Sequence, residues 1–122
     1  MRTNKYYNTH RWRLSKGIAE VDREKYLFQE LSETEWSKKF EQLMRNRLVL
    51  GALRYGRLNI KPKPHYNRIE AIQKRLEIYK QTGNTEMLVD IANLALCEFE
   101  EGFHLKNSFQ SVDDGEHVQI LN

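Results

Sequence analysis

Between Met87 and Leu96 the chain carries only two polar residues, Asp90 and Asn93. Met87, Leu88, Val89, Ile91, Ala92, Leu94, Ala95, Leu96 and Phe99 surround a helix over about Thr85 to Glu101 almost completely. A helix that is apolar on every side belongs in the middle of a bundle. That requirement leaves little room for architectures other than helix packed on helix. It also makes Asp90 and Asn93 the most informative residues of the chain. A carboxylate on a central helix must meet a cation, a donor network or a metal, because burying it alone is expensive.

The remaining segments supply partners for that helix. Asn67-Arg68-Ile69-Glu70 resembles a capping box. Ile69, Ile72, Leu76 and Tyr79 then follow at helical spacing, and Thr82-Gly83 ends the run. Asn84 caps the next helix after a very short turn, so the two should be antiparallel neighbours. Upstream, Ser32-Glu33-Thr34-Glu35 also fits a capping box, with Leu31 and Trp36 as its hydrophobic staple. Trp36, Phe40, Leu43, Arg47 and Leu50 continue as a helix from Glu33 to about Tyr55. Gly51 lies inside it and Gly56 stands at its end. Lys61-Pro62-Lys63-Pro64 reads as a stiff extended connector. Asp22 to Leu31 suits a short helix. After Gly102 the sequence turns polar, and Asp114-Gly115 marks either a small hairpin or a loose tail.

The expected fold is therefore an all-α bundle of three main helices plus a short N-terminal one. A single domain is expected over 1–122, with a basic, aromatic arm and short helix over 1–31 and a helical core over 32–101. A polar segment follows over 102–122. The chain of 122 residues has one cysteine, which excludes an internal disulfide and a cysteine-based zinc finger. No apolar run is long enough for a membrane span, and Met1 to Tyr7 lack a signal-peptide core. These features suggest a cytoplasmic protein. The modest apolar fraction, concentrated in the helices, suggests a homodimer that completes the core.

Glu86, Asp90, Asn93 and Cys97 share one face of the apolar helix, and Glu70 and Glu77 share one face of the helix before it. Packed antiparallel, the helices bring Glu70, Glu77, Glu86 and Asp90 within reach of one Mg²⁺, a cation that prefers hard oxygen ligands and phosphates. Each residue also has a plainer reading. Glu70 serves as a cap, Glu77 as a solvated charge, and Glu86 as an acid at a helix N-terminus. Asp90 has a salt bridge to Arg47, Arg54 or Arg75 as its plainer reading. Arg45, Arg47, Arg54, Arg57, Lys61 and Lys63 form a basic stretch suited to phosphates.

Two segments carry a resemblance. Leu50-Gly51-Ala52-Leu53-Arg54-Tyr55-Gly56, followed by Asn59, is similar to the GA-x-[KR]YG…N segment of small phage-type proteins related to the MazG-like all-α NTP pyrophosphohydrolases. Leu88-Val89-Asp90-Ile91-Ala92-Asn93-Leu94-Ala95-Leu96 resembles their L-x-D-x-A-N-[YL]-A-L helix. The likeness spans about residues 36–101. It implies an oligomeric helical protein that cleaves nucleoside triphosphates to monophosphate and pyrophosphate with Mg²⁺. Asp90 and Glu86 would be catalytic, and Glu70, Glu77, Glu86 and Asp90 would hold the metal. Asn93, Arg54, Tyr55 and Lys61 would contact the nucleotide. The family's E-x-x-E pair is absent, since Gln73 stands three after Glu70, and its E-x-x-D is replaced by Glu86 four before Asp90. The alternatives are a non-catalytic binder of nucleotides or signalling nucleotides, as in counter-defence, or a nucleic-acid or protein interaction module using Tyr6, Tyr7, His10 and Trp12. A nucleic-acid partner is the less favoured of these, because the net charge is only +3.

Overall fold

The computed structural model describes residues 21–112 and 118–121. The N-terminal arm and the Asp114-Gly115 turn lie outside these residues. The described chain is helical throughout its regular parts: α1 (Val21–Thr34), α2 (Lys38–Tyr55), α3 (Arg68–Thr82) and α4 (Glu86–Glu101). Residues 103–112 and 118–121 form neither helix nor strand. Three main helices and a shorter N-terminal one are thus present. None is long and apolar enough to cross a membrane, among the described residues. The chain divides into two compact units, Met1–Trp36 with Gln110–Asn122, and Ser37–Phe109. The second unit contains α2, α3 and α4.

The caps show how local chemistry sets these boundaries. Asn67 accepts the Glu70 N–H through its side chain at 3.1 Å, and its amide donates to the Glu70 carboxylate at 3.2 Å. Gly83 closes α3 in the left-handed region, at φ 68°, where a side chain would be strained. Asn84 Oδ1 accepts the Glu86 N–H at 3.1 Å, so the α3–α4 turn is capped from both sides. The expectation at Ser32 is corrected. Ser32 lies within α1, where its hydroxyl donates to the Gln29 carbonyl at 2.8 Å. The cap of α2 is Ser37, whose hydroxyl accepts the Phe40 N–H at 3.0 Å. A serine inside a helix satisfies itself on its own preceding turn, so the cap falls to the next serine placed three residues before a free amide.

Ion pairs define how α3 and α4 run. Arg68, at the start of α3, meets Glu98 and Glu101 at the end of α4, while Arg75 in mid-α3 meets Asp90 nearer the start of α4. The partners move backwards as α3 moves forwards, which makes the pair antiparallel. α2 packs on the other side of α4, so α4 is the middle helix, as its composition requires. Val89 is the buried apolar residue of the described chain, and Asn93 is buried beside it. The other apolar side chains of α4 are less covered than expected, and Phe99 is 71% exposed.

The buried side of α2 also differs from the expected stripe. Phe40, Met44, Leu48, Gly51 and Ala52 face inwards in part, whereas Leu43, Val49, Leu50 and Leu53 are exposed. Arg47 is the member of the expected stripe that still reaches α4, through Glu86 and Asp90. Nothing approaches within 4 Å of a Cβ built on Gly51. Gly51 therefore costs helix propensity without gaining close packing. Gly51→Ala should raise stability by about 0.5–1 kcal/mol, and urea denaturation of the two proteins measures it.

Candidate functional site

The carboxylates singled out on α4 are held by arginines. Arg47 reaches across from α2, with Nη2 2.7 Å from Glu86 Oε1 and Nη1 3.2 Å from Asp90 Oδ1. Arg75 of α3 places Nε 3.5 Å from the other Asp90 oxygen. Asp90 thus bridges α2 and α3 through two of the three arginines that its plainer reading named. Asn93, one turn further along, donates its side-chain N–H to the Met44 carbonyl at 3.1 Å. This N–H ties α4 to α2, while the Asn93 Oδ1 is buried without a hydrogen-bond partner.

Glu70 and Glu77 do not join this group. Glu70 pairs with Lys74 at 3.3 Å and caps α3, while Glu77 lies 4.0 Å from Lys80 on its own helix. Among the described residues no three His, Cys, Asp or Glu side chains are grouped as a metal ion would require. The donor set therefore does not fit Mg²⁺ as the side chains stand, since both Asp90 oxygens and one Glu86 oxygen already face guanidinium groups.

A second cluster, not foreseen in the sequence, fastens the connector to the end of α4. Lys63 donates to Glu101 at 2.7 Å and also to the Arg57 carbonyl. Arg68 holds the other Glu101 oxygen at 2.7 Å, and the Asn59 backbone N–H donates to Glu101 at 2.7 Å. Asn59 takes a positive φ of 61°, a conformation asparagine tolerates better than most residues, and its amide also reaches Glu100 at 3.2 Å. The Lys63 hydrogen bond, outweighing the cost of burial and joined by the Asn59 N–H, holds the Glu101 carboxyl below its ordinary value of 4.5. One turn earlier, burial pushes the Cys97 thiol up from its ordinary 9.0, more than the Arg68 charge lowers it, so Cys97 stays a protonated thiol at neutral pH.

The basic stretch divides accordingly. Arg45, Arg47 and Lys63 are each paired with a carboxylate, to Glu41, to Glu86 and Asp90, and to Glu101. Arg54, Arg57 and Lys61 have no carboxylate within ion-pair distance among the described residues. Arg54 lies over the Tyr55 ring at 5.9 Å. Tyr55 meets Tyr66 edge-on at 5.6 Å, and Arg68 lies over the Tyr66 ring at 5.7 Å. Exposed cations and accessible aromatic rings therefore occur side by side where α2 meets the connector.

Comparison with protein-family models, with curated proteins and with solved structures found no match.

Proposed function

We propose that the unit Ser37–Phe109 binds a nucleotide without cleaving it. Arg54, Arg57 and Lys61 take the phosphates, and Tyr55 offers a ring face to the base. The observation that carries the reading is the division of charge. Glu86 and Asp90 are matched by Arg47 and Arg75, whereas Arg54, beside the exposed Tyr55, has no carboxylate partner among the described residues. Phosphate oxygens suit guanidinium groups that are not already committed, and stacking on a tyrosine supplies about 1–3 kcal/mol per base.

The hydrolytic alternative is a relative of the MazG-like pyrophosphohydrolases. It would need Arg47 or Arg75 to release an Asp90 oxygen before Asp90 could bind Mg²⁺. A homo-oligomer is part of the proposal, because Val49, Leu50 and Leu53 expose an apolar ridge along the outer side of α2. That ridge is what a second copy would cover.

Isothermal titration with a panel of nucleoside mono-, di- and triphosphates tests the binding claim. Saturable binding is expected, weakened about tenfold or more in Arg54→Ala and in Tyr55→Ala, one guanidinium–phosphate contact being worth about 1.5–3 kcal/mol. If no nucleotide binds, or if both variants bind as wild type does, the proposal fails. Sedimentation of the same sample at a single-chain mass would remove the oligomer.

A further inference from the structure

We propose that the cleft at the start of α3 is a site for an oxyanion, a carboxylate or phosphate group carried by a small molecule. The inference does not rest on the nucleotide reading, because its donors are Arg68, Ile69 and His104 rather than Arg54, Arg57 and Lys61. The cleft is a shallow, open one of about 330 Å³ between the first turn of α3 and the segment that follows α4. That is near the lower end of the range for small-ligand sites. One wall is His65 stacked on Phe103, with ring centroids 3.5 Å apart and planes within 20°. Tyr66 and His104 line it as well.

Arg68 lines the cleft. It is only 7% exposed, and its Nη2 is committed to Glu101 at 2.7 Å. Its Nη1 is sealed from solvent and has no hydrogen-bond partner. The Glu98 carboxylate lies 3.8 Å from that nitrogen, which is too long for a hydrogen bond. A buried guanidinium N–H without an acceptor is costly, and an acceptor oxygen placed there would satisfy it.

The backbone adds an independent donor. At the start of α3 the Arg68 N–H goes to the Tyr66 carbonyl, the Glu70 N–H to the Asn67 side chain, and the Ala71 N–H to the Asn67 carbonyl. The Ile69 N–H has none of these partners, and it stands at the positive end of a fifteen-residue helix. His104 contributes a third group. Its Nδ1 accepts the Lys106 N–H at 3.0 Å, so a neutral imidazole carries its proton on Nε2 and donates from there.

Glu98 is the competitor. Its side chain is half-buried and reaches over Gly102, where a Cβ would meet the Glu98 carboxylate at 2.8 Å. Its carboxylate approaches Nη1 without bonding to it, and an incoming oxyanion takes that position by turning Glu98 outwards. Removing the Glu98 charge should therefore tighten anion binding. Removing an adjacent charge outside the cleft should not.

The test is titration of the ¹⁵N-labelled full chain with inorganic phosphate, and separately with acetate, followed by amide NMR. Saturable shifts are expected at Ile69 and His104. Glu98→Gln should tighten binding severalfold, whereas Glu100→Gln, which makes the same change in net charge, should leave it unchanged. His104→Gln, at an exposed position, should weaken it. Phosphate binding without acetate assigns a phosphoryl group, and acetate binding with the same residues assigns a carboxylate. The proposal is overturned if neither anion gives saturable shifts in wild type and Glu98→Gln. It is equally overturned if Glu98→Gln and Glu100→Gln tighten binding alike, which would mark a general charge effect.

Discussion

Glu101→Ala should destabilise the helical unit by about 3–5 kcal/mol, the usual consequence of removing one partner from a buried ionic cluster. Three groups lose the Glu101 carboxylate at once: the Lys63 ammonium, which keeps the Arg57 carbonyl, the Arg68 guanidinium, and the Asn59 backbone N–H. Lys63 and Arg68 are both largely buried, so water does not readily replace the lost carboxylate. The connector between α2 and α3 is also released, because Asn59 and Lys63 hold it to the end of α4. Among the described residues few apolar side chains are buried, so a loss of that size is a large part of a typical stability of about 5–15 kcal/mol. Urea denaturation at neutral pH measures it. A change under about 1 kcal/mol would mean that the cluster is solvated and weak.

The same carboxylate sets an acid dependence. Its pKa is held down in the folded chain, so the folded state keeps the proton off where the unfolded state takes it up. The Glu101 contribution is complete above the ordinary value of 4.5 and is lost as pH falls through the lower folded value. Glu101→Gln should flatten that part of the stability profile.

Asp90→Ala is the second large effect. It removes the bridge between Arg47 on α2 and Arg75 on α3, and leaves the buried Arg75 Nε without its nearest carboxylate. A loss of about 1–3 kcal/mol is expected, the penalty for stranding a buried charged donor. Arg47→Ala should be milder, since Arg47 is 41% exposed and Asp90 keeps Arg75. The order of these two effects distinguishes a structural bridge from a metal ligand. A metal ligand can be removed without loss of stability in metal-free buffer, whereas a bridging carboxylate cannot.

Much of the fold could be read from short-range chemistry. Asn67, Gly83 and Asn84 announce helix ends within a few residues, and the apolar run around Val89 demands a central place. The arginine partners of Asp90 could be named in advance because few cations lay within reach of a central helix. The failures share one cause. Ser32 and Ser37 offer similar caps, and the choice depends on where α1 stops. The Arg68–Glu101 pair links residues 33 apart in the chain, and Glu100-Glu101 looks like an ordinary solvated helix end until the connector folds back over it. The four carboxylates are not grouped among the described residues. Helical spacing places Glu70 and Glu77 on one face, but the lysines on their own helix, Lys74 and Lys80, take them up.

Asp90 bridges α2 and α3 through Arg47 and Arg75, and the proposed nucleotide would leave unchanged. The most direct measurement is pyrophosphate release from the nucleoside triphosphates that bind, with Mg²⁺ present, in wild type and in Asp90→Ala under conditions where both are folded. Binding without release from either protein is the predicted result. Release by wild type that disappears in Asp90→Ala would contradict it and make Asp90 a catalytic residue.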